Sequence, residues 1–84
     1  MELKDTVNLM LSDDFKDRLK AEYIQTKIRL DKLTKYIKKL GKFPESEYEV
    51  SIFSQWWVLN QYKEILYKRL KLLGIDITEV WYEH

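Results

Sequence analysis

The sequence predicts an all-α fold, a long antiparallel hairpin of two helices with a short amino-terminal helical segment and a carboxyl-terminal tail. Three observations support this prediction. Two long segments carry apolar residues at helical spacing. A short connector with the only proline separates them. The only two glycines, Gly41 and Gly74, directly follow the two segments, where glycine commonly ends a helix. We therefore expect one domain over residues 1–84.

The first helix is predicted over about residues 13–40. Ser12 is a favourable cap, and Asp13 and Asp14 suit the positive end of the helix dipole. Residues then recur at alternating steps of four and three along one side, as in helices that pack lengthwise. They are Leu19, Tyr23, Thr26, Leu30, Leu33, Ile37 and Leu40.

The second helix is predicted over about residues 47–73, because Ser46 and Glu49 fit a capping box. Its apolar face is predicted to hold two rows, Ile52, Leu59, Leu66 and Leu73 beside Val58, Ile65 and Leu72. A polar line at seven-residue spacing runs down the middle of this face, namely Gln55, Tyr62 and Arg69. The short connector makes the two helices antiparallel neighbours.

The polar line is interpreted as structural, with Glu22 and Thr26 opposite it on the first helix. We expect Arg69 to form an ion pair with Glu22 at the open end of the hairpin, and Tyr62 to bond near Thr26. Polar groups in a helical seam commonly determine register and partner.

Aromatic residues are predicted on the back of the second helix: Phe53, Trp56, Trp57 and Tyr67. They form either a binding surface or a surface covered by self-association or by the chain's own termini. On the first helix, Ala21, Ile24 and Ile28 lie opposite the seam and need cover, from Leu9 and Met10 or from another copy. Because one hairpin buries only one face of each helix, we predict a homo-oligomeric helical bundle.

Composition disfavours several classes of function. Fifteen basic and fourteen acidic residues give a net charge of +1, which makes nucleic acid an unfavourable partner. There is no cysteine, no run long enough to span a membrane and no signal-type amino terminus. The only histidine is His84, and no glycine-rich phosphate loop or metal-ligand spacing occurs. We expect a cytoplasmic protein with no metal, cofactor or catalytic residues, hence not an enzyme.

The residues also resemble a known family over about Met10 to Ile75. The most specific run is SDDFKDR-x-KAEY, followed by Arg29, Lys32-Leu33, Gln55, Tyr62, Leu66, Arg69 and Gly74-Ile75. These features resemble small proteins of phages and prophages, common in phages of Gram-positive bacteria and related to those of crAss-like phages. The Trp56-Trp57 pair and the Trp81-Tyr82 tail depart from that pattern. The resemblance implies a phage accessory protein in the bacterial host cytoplasm, with no catalytic residues to transfer.

Small helical phage proteins commonly counter host defence, which gives two hypotheses. In the first, an oligomer sequesters a cyclic nucleotide signal. Arg18, Arg29 and Lys32 would bind its phosphates, and Trp56, Trp57 and Tyr67 its bases, where protomers meet. The alternative is a homo-oligomeric interaction module that docks its aromatic face on a host protein and binds no small ligand.

Overall fold

The computed structural model describes residues 3–6 and 14–75. Two α-helices of 26 residues each, α1 (Phe15–Leu40) and α2 (Glu47–Leu72), pack against each other, and a short 3-10 helix (Leu3–Thr6) contacts α1. The described ranges contain helices and connecting turns only, so the predicted all-α fold with two long packed helices is confirmed. Contacts from Tyr62 to Glu22 and from Trp56 to Thr34 show that the helices run antiparallel.

Local chemistry sets the ends of α1. Asp14 is the amino-terminal cap, and its carboxylate accepts a hydrogen bond of 2.9 Å from the backbone N–H of Lys16. The prediction of Ser12 as the cap is therefore wrong, because the observed cap is two residues later. Ser12 itself lies outside the described residues. At the other end, Gly41 has φ of 62°, a left-handed conformation that glycine adopts without steric cost.

The ends of α2 follow their predicted signals closely. The Ser46 hydroxyl accepts a hydrogen bond of 3.1 Å from the backbone N–H of Glu49, and the Glu49 carboxylate accepts one of 2.9 Å from that of Glu45. At the carboxyl end, Gly74 has φ of 75° and the N–H of Ile75 donates to the Leu70 carbonyl at 3.0 Å. This closure satisfies backbone carbonyls that a helix end leaves free.

The core lies at the open end of the hairpin, away from the connector. Six buried residues form it: Leu19, Tyr23, Ile24, Ile28, Leu66 and Leu70. Leu3 of the 3-10 helix and Ile75 after α2 pack against this cluster. Towards the connector the seam is thinner, because Leu33, Ile37 and Leu40 are only half-buried.

The second apolar stripe of α1 is covered within the chain. Ala21 and Ile24 have no exposed surface and Ile28 has 8%. Ile24 and Ile28 belong to the core cluster, so a second copy is not needed to bury them. The other predicted cover, Leu9 and Met10, lies outside the described residues.

The buried face of α2 agrees only in part with the prediction. In the first predicted row Ile52 and Leu66 are buried and Leu59 is half-buried, whereas Leu73 is exposed. Leu70 is also buried, and the three members of the predicted polar line are exposed. The predicted second row, Val58, Ile65 and Leu72, is also exposed. Burying Arg69 at the centre of the interface would remove its charge from water at a large cost. The helix is instead rotated so that the polar line lies at the edge of the interface.

Among the described residues, no helix is both long and apolar enough to cross a lipid bilayer.

Candidate ligand-binding groove

Two adjoining clefts lie between α1 and α2 and share Arg29 as a lining residue. The first has a volume of about 400 Å³ and is lined by Arg18, Glu22, Gln25, Thr26, Arg29 and Tyr62. The second has a volume of about 300 Å³ and is lined by Arg29, Lys32, Leu33, Tyr36, Gln55 and Leu59. We refer to the two together as the polar groove. These volumes are at the lower end of those of small-molecule sites.

Helical spacing explains why α1 supplies one wall of the groove. Arg18, Glu22, Gln25 and Arg29 follow one another at steps of four, three and four, and Tyr36 comes seven residues later. Steps of three and four keep side chains on one side of a helix. The whole set therefore faces the same side of the hairpin. The opposite wall comes from α2, through Gln55, Leu59 and Tyr62.

The three predicted phosphate-binding cations all line this groove. Arg18 and Arg29 lie in the first cleft, and Arg29 and Lys32 in the second. Arg18 and Arg29 are about 16 Å apart along the helix axis, a distance that two long side chains can shorten from both ends. A guanidinium can also donate two parallel hydrogen bonds to one phosphate. The wall from α1 is thus suited to an anion with more than one phosphate group.

A hydrogen bond from Tyr62 to Glu22 crosses the groove. The hydrogen bond to the Glu22 carboxylate, followed by desolvation and the negative charge of that carboxylate, raises the pKa of Tyr62 above its usual value, and the positive charge of Arg69 opposes the rise. The expected ion pair between Arg69 and Glu22 is therefore wrong: the partner of Glu22 is Tyr62. Thr26 is buried in the same cleft, close to Tyr62 as expected. The rotation of α2 brings the phenol, rather than the guanidinium, to α1.

The two tryptophans of the second helix have different environments. The indole Nε1–H of Trp56 donates a 2.9 Å hydrogen bond to the Thr34 hydroxyl of α1, which makes Trp56 part of the hairpin contact. Trp57 is 60% exposed and points to the outer side of α2. Neither lines the polar groove.

The other two predicted aromatic residues also lie away from the cations. The ring of Tyr67 packs against that of Tyr23, with 6.3 Å between centroids. Phe53 lines a separate, mainly apolar cleft of about 570 Å³ beside the connector, together with Ile37 and Phe43. The structure thus places the predicted cations together but distributes the four predicted aromatic residues over four other places.

The aromatic residues next to the cations are tyrosines. Tyr62 belongs to the polar line that the sequence indicated as structural, and Tyr36 was not selected from the sequence at all. The sequence could nevertheless have indicated Tyr36, because it lies seven residues after Arg29 and therefore on the same side of α1. Within residues 3–6 and 14–75, no three histidine, cysteine or acidic side chains are placed to hold a metal ion.

Comparison with known proteins gives one match. A family model described as Sequestin matches residues 13–72, a segment that contains α1, the connector and α2, and therefore every residue of the polar groove. No curated protein and no solved structure matches the chain.

Proposed function

The chain belongs to the Sequestin family, and from this premise we propose that it is a non-catalytic phage accessory protein that sequesters a nucleotide immune signal in the host cytoplasm. The family name indicates a binding function of the sequestering kind. Sequestration requires reversible binding without chemical change, so no catalytic residue or cofactor is part of the proposal. The phage setting is supported by the resemblance of the SDDFKDR-x-KAEY run to small phage proteins.

The observation that carries the proposal is the composition of the polar groove. Three cations line it, and phosphate is the ligand group that arginine binds best in pairs of hydrogen bonds. Tyr36 and Tyr62 offer rings on which a base can stack.

The other groove residues favour a nucleotide over a simple anion. Glu22 stands between Arg18 and Arg29, and its carboxylate can accept hydrogen bonds from ribose hydroxyls or from an exocyclic amino group. Gln25 lines the same cleft, and its amide nitrogen donates a 2.8 Å hydrogen bond to the Thr6 hydroxyl. A site for bare phosphate would gain nothing from the carboxylate, because its charge repels the anion. The combination of cations, a carboxylate and tyrosine rings therefore fits a ligand with phosphates, sugars and bases.

Isothermal titration calorimetry with cyclic di- and trinucleotides and cyclic ADP-ribose isomers tests the proposal. We expect saturable binding of at least one compound, and recovery of that compound unchanged by chromatography. Arg29→Ala is expected to weaken binding by about 10- to 100-fold, because hydrogen bonds to a charged group contribute about 1.5–3 kcal/mol. Lys35→Ala is the matched control, since Lys35 is an exposed cation of α1 outside both clefts.

Two results would reject the proposal. One is the absence of binding across the whole panel. The other is an equal loss of affinity for Arg29→Ala and Lys35→Ala, since binding would then depend on overall charge and not on the groove.

A second candidate function is a homo-oligomeric helical module that binds or inhibits a host protein and takes no small ligand. The observation that favours it is the exposure of large apolar side chains, 88% for Phe43 and 60% for Trp57. Retention of a host protein that is lost with Trp57→Ala and kept with Arg29→Ala would support this module. Retention that Trp57→Ala leaves unchanged would reject the exposed apolar surface as the docking site.

A further inference from the structure

The outer side of α2 carries an apolar stripe that faces solvent. We call it the outer stripe; its members and their exposed fractions are Val50 50%, Trp57 60%, Val58 58%, Ile65 54% and Leu72 76%. The stripe members lie about 120–160° around α2 from Leu70, which has no exposed surface. The stripe therefore lies on the side of α2 away from the hairpin core. The exposed polar residues Ser54, Gln61 and Lys68 lie between its members on the same side of the helix. Single apolar residues are normal on a surface, but five exposed apolar residues along one side of a helix are typical of an interface.

Charges at the two ends of α2 indicate what covers the stripe. The first turn is acidic, with Glu47 and Glu49, and the last turn is basic, with Arg69 and Lys71. A second copy of α2 laid antiparallel along the stripe brings the acidic end of each helix to the basic end of the other. A parallel copy would place like charges together at both ends. The antiparallel arrangement also opposes the two helix dipoles.

Four of the five stripe members are arranged symmetrically about one residue, and the fifth, Val58, has Glu64 as its counterpart. Gln61 lies midway between Val50 and Leu72, and also midway between Trp57 and Ile65. An antiparallel pairing centred on Gln61 places each member of these pairs on its counterpart in the other copy. A two-fold interface has this property, because one surface must match itself after rotation.

We propose that two copies of the chain dimerise through the outer stripe, antiparallel, with the two-fold axis at Gln61. This inference goes beyond the proposed nucleotide sequestration and uses residues that do not line the polar groove. Tyr62 and Gln55 lie about a quarter turn around α2 from the centre of the stripe, so both grooves of the dimer stay open to ligand.

Cysteine cross-linking tests the orientation, because the chain contains no cysteine. Gln61→Cys is expected to form a disulfide-linked dimer on mild oxidation, since the two α-carbons meet at the axis. Ser54→Cys and Lys68→Cys should each stay unlinked alone and should cross-link when mixed, because these positions oppose each other about Gln61. Self-cross-linking at all three positions would indicate a parallel pair and overturn the proposal.

Sedimentation equilibrium at about 100 μM tests the association itself. We expect the wild type to have twice the chain mass and Ile65→Glu to have the mass of one chain, with helical content unchanged by circular dichroism. Phe43→Glu is the matched control, an exposed apolar residue away from the stripe, and should remain a dimer. A wild type that sediments as a monomer overturns the proposal and leaves the stripe to a partner of other chemistry.

The two proposals fail separately. Arg29→Ala is expected to lose ligand and keep the dimer mass, whereas Ile65→Glu is expected to lose the dimer mass and keep ligand binding in each groove.

Discussion

The two helices have the same length and both carry apolar residues on two sides, but they bury them to different extents. Seven residues of α1 are buried, on both sides of the helix, whereas α2 buries three on one side only. The α1 helix is thus the structural centre of the hairpin, with α2 against one side and the 3-10 helix in contact with it as well. The exposed apolar residues of α2 are not needed for the core, which leaves them available for a partner.

The largest expected effect comes from comparing Leu66 with Ile65, two consecutive residues of α2 of which the first is buried and the second is exposed. Leu66→Ala should lower the free energy of unfolding by about 2–5 kcal/mol, because it leaves a cavity in the core. Ile65→Ala should change it by about 0.5 kcal/mol or less, because Ile65 is exposed in the single chain. Urea unfolding followed by circular dichroism at low micromolar concentration measures both. Equal losses of unfolding free energy in the two variants would contradict the distinction between a buried and an exposed side of α2.

A smaller effect tests whether Trp56 belongs to the hairpin contact and Trp57 does not. Thr34→Val removes the hydroxyl that accepts from the Trp56 indole and should cost about 1 kcal/mol, with Trp56 left without its partner. Thr34→Ser is the control, because it keeps the hydroxyl and removes only the methyl group. If Thr34→Val were as stable as the wild type, the hydrogen bond would contribute nothing measurable.

The smallest effect concerns the edge of α2, where the exposed polar line meets α1. The bond to Glu22 raises the pKa of Tyr62, so the contribution of this bond to stability is fully present below the pKa of an unfolded tyrosine. That contribution is lost as pH rises through the higher pKa of the folded state. Ultraviolet titration should show a late-titrating phenol that Tyr62→Phe removes and Glu22→Gln brings back towards the usual value. A titration curve unchanged in both variants would contradict the contact.

The elements of the fold were predictable because their signals are local. The prediction of residues 13–40 and 47–73 compares with Phe15–Leu40 and Glu47–Leu72 in the structure. Caps and glycines act on backbone groups a few residues away, so they can be read without knowing what the helix packs against. The shift from Ser12 to Asp14 arose because both residues can cap and the sequence alone does not rank them.

The rotation of α2 was not predictable in the same way. Leu66 and Leu70 are as apolar as Ile65 and Leu72, so hydrophobicity alone leaves the choice of buried face open. The choice depends on contacts forty residues apart, such as that between Tyr62 and Glu22. For this reason the sequence could place the cations of α1 on one side of the helix, whereas it could not identify their aromatic neighbours from α2, since these depend on the rotation.

The central claim is that the polar groove binds the ligand and the outer stripe does not. Nuclear magnetic resonance of isotope-labelled protein, titrated with a compound that binds in the calorimetric panel, tests this most directly. We expect saturable shifts of the side-chain Nε–Hε signals of Arg18 and Arg29, with the amides of Trp57 and Ile65 unchanged. Shifts confined to Trp57 and Ile65, with both arginine signals unmoved, would contradict the account.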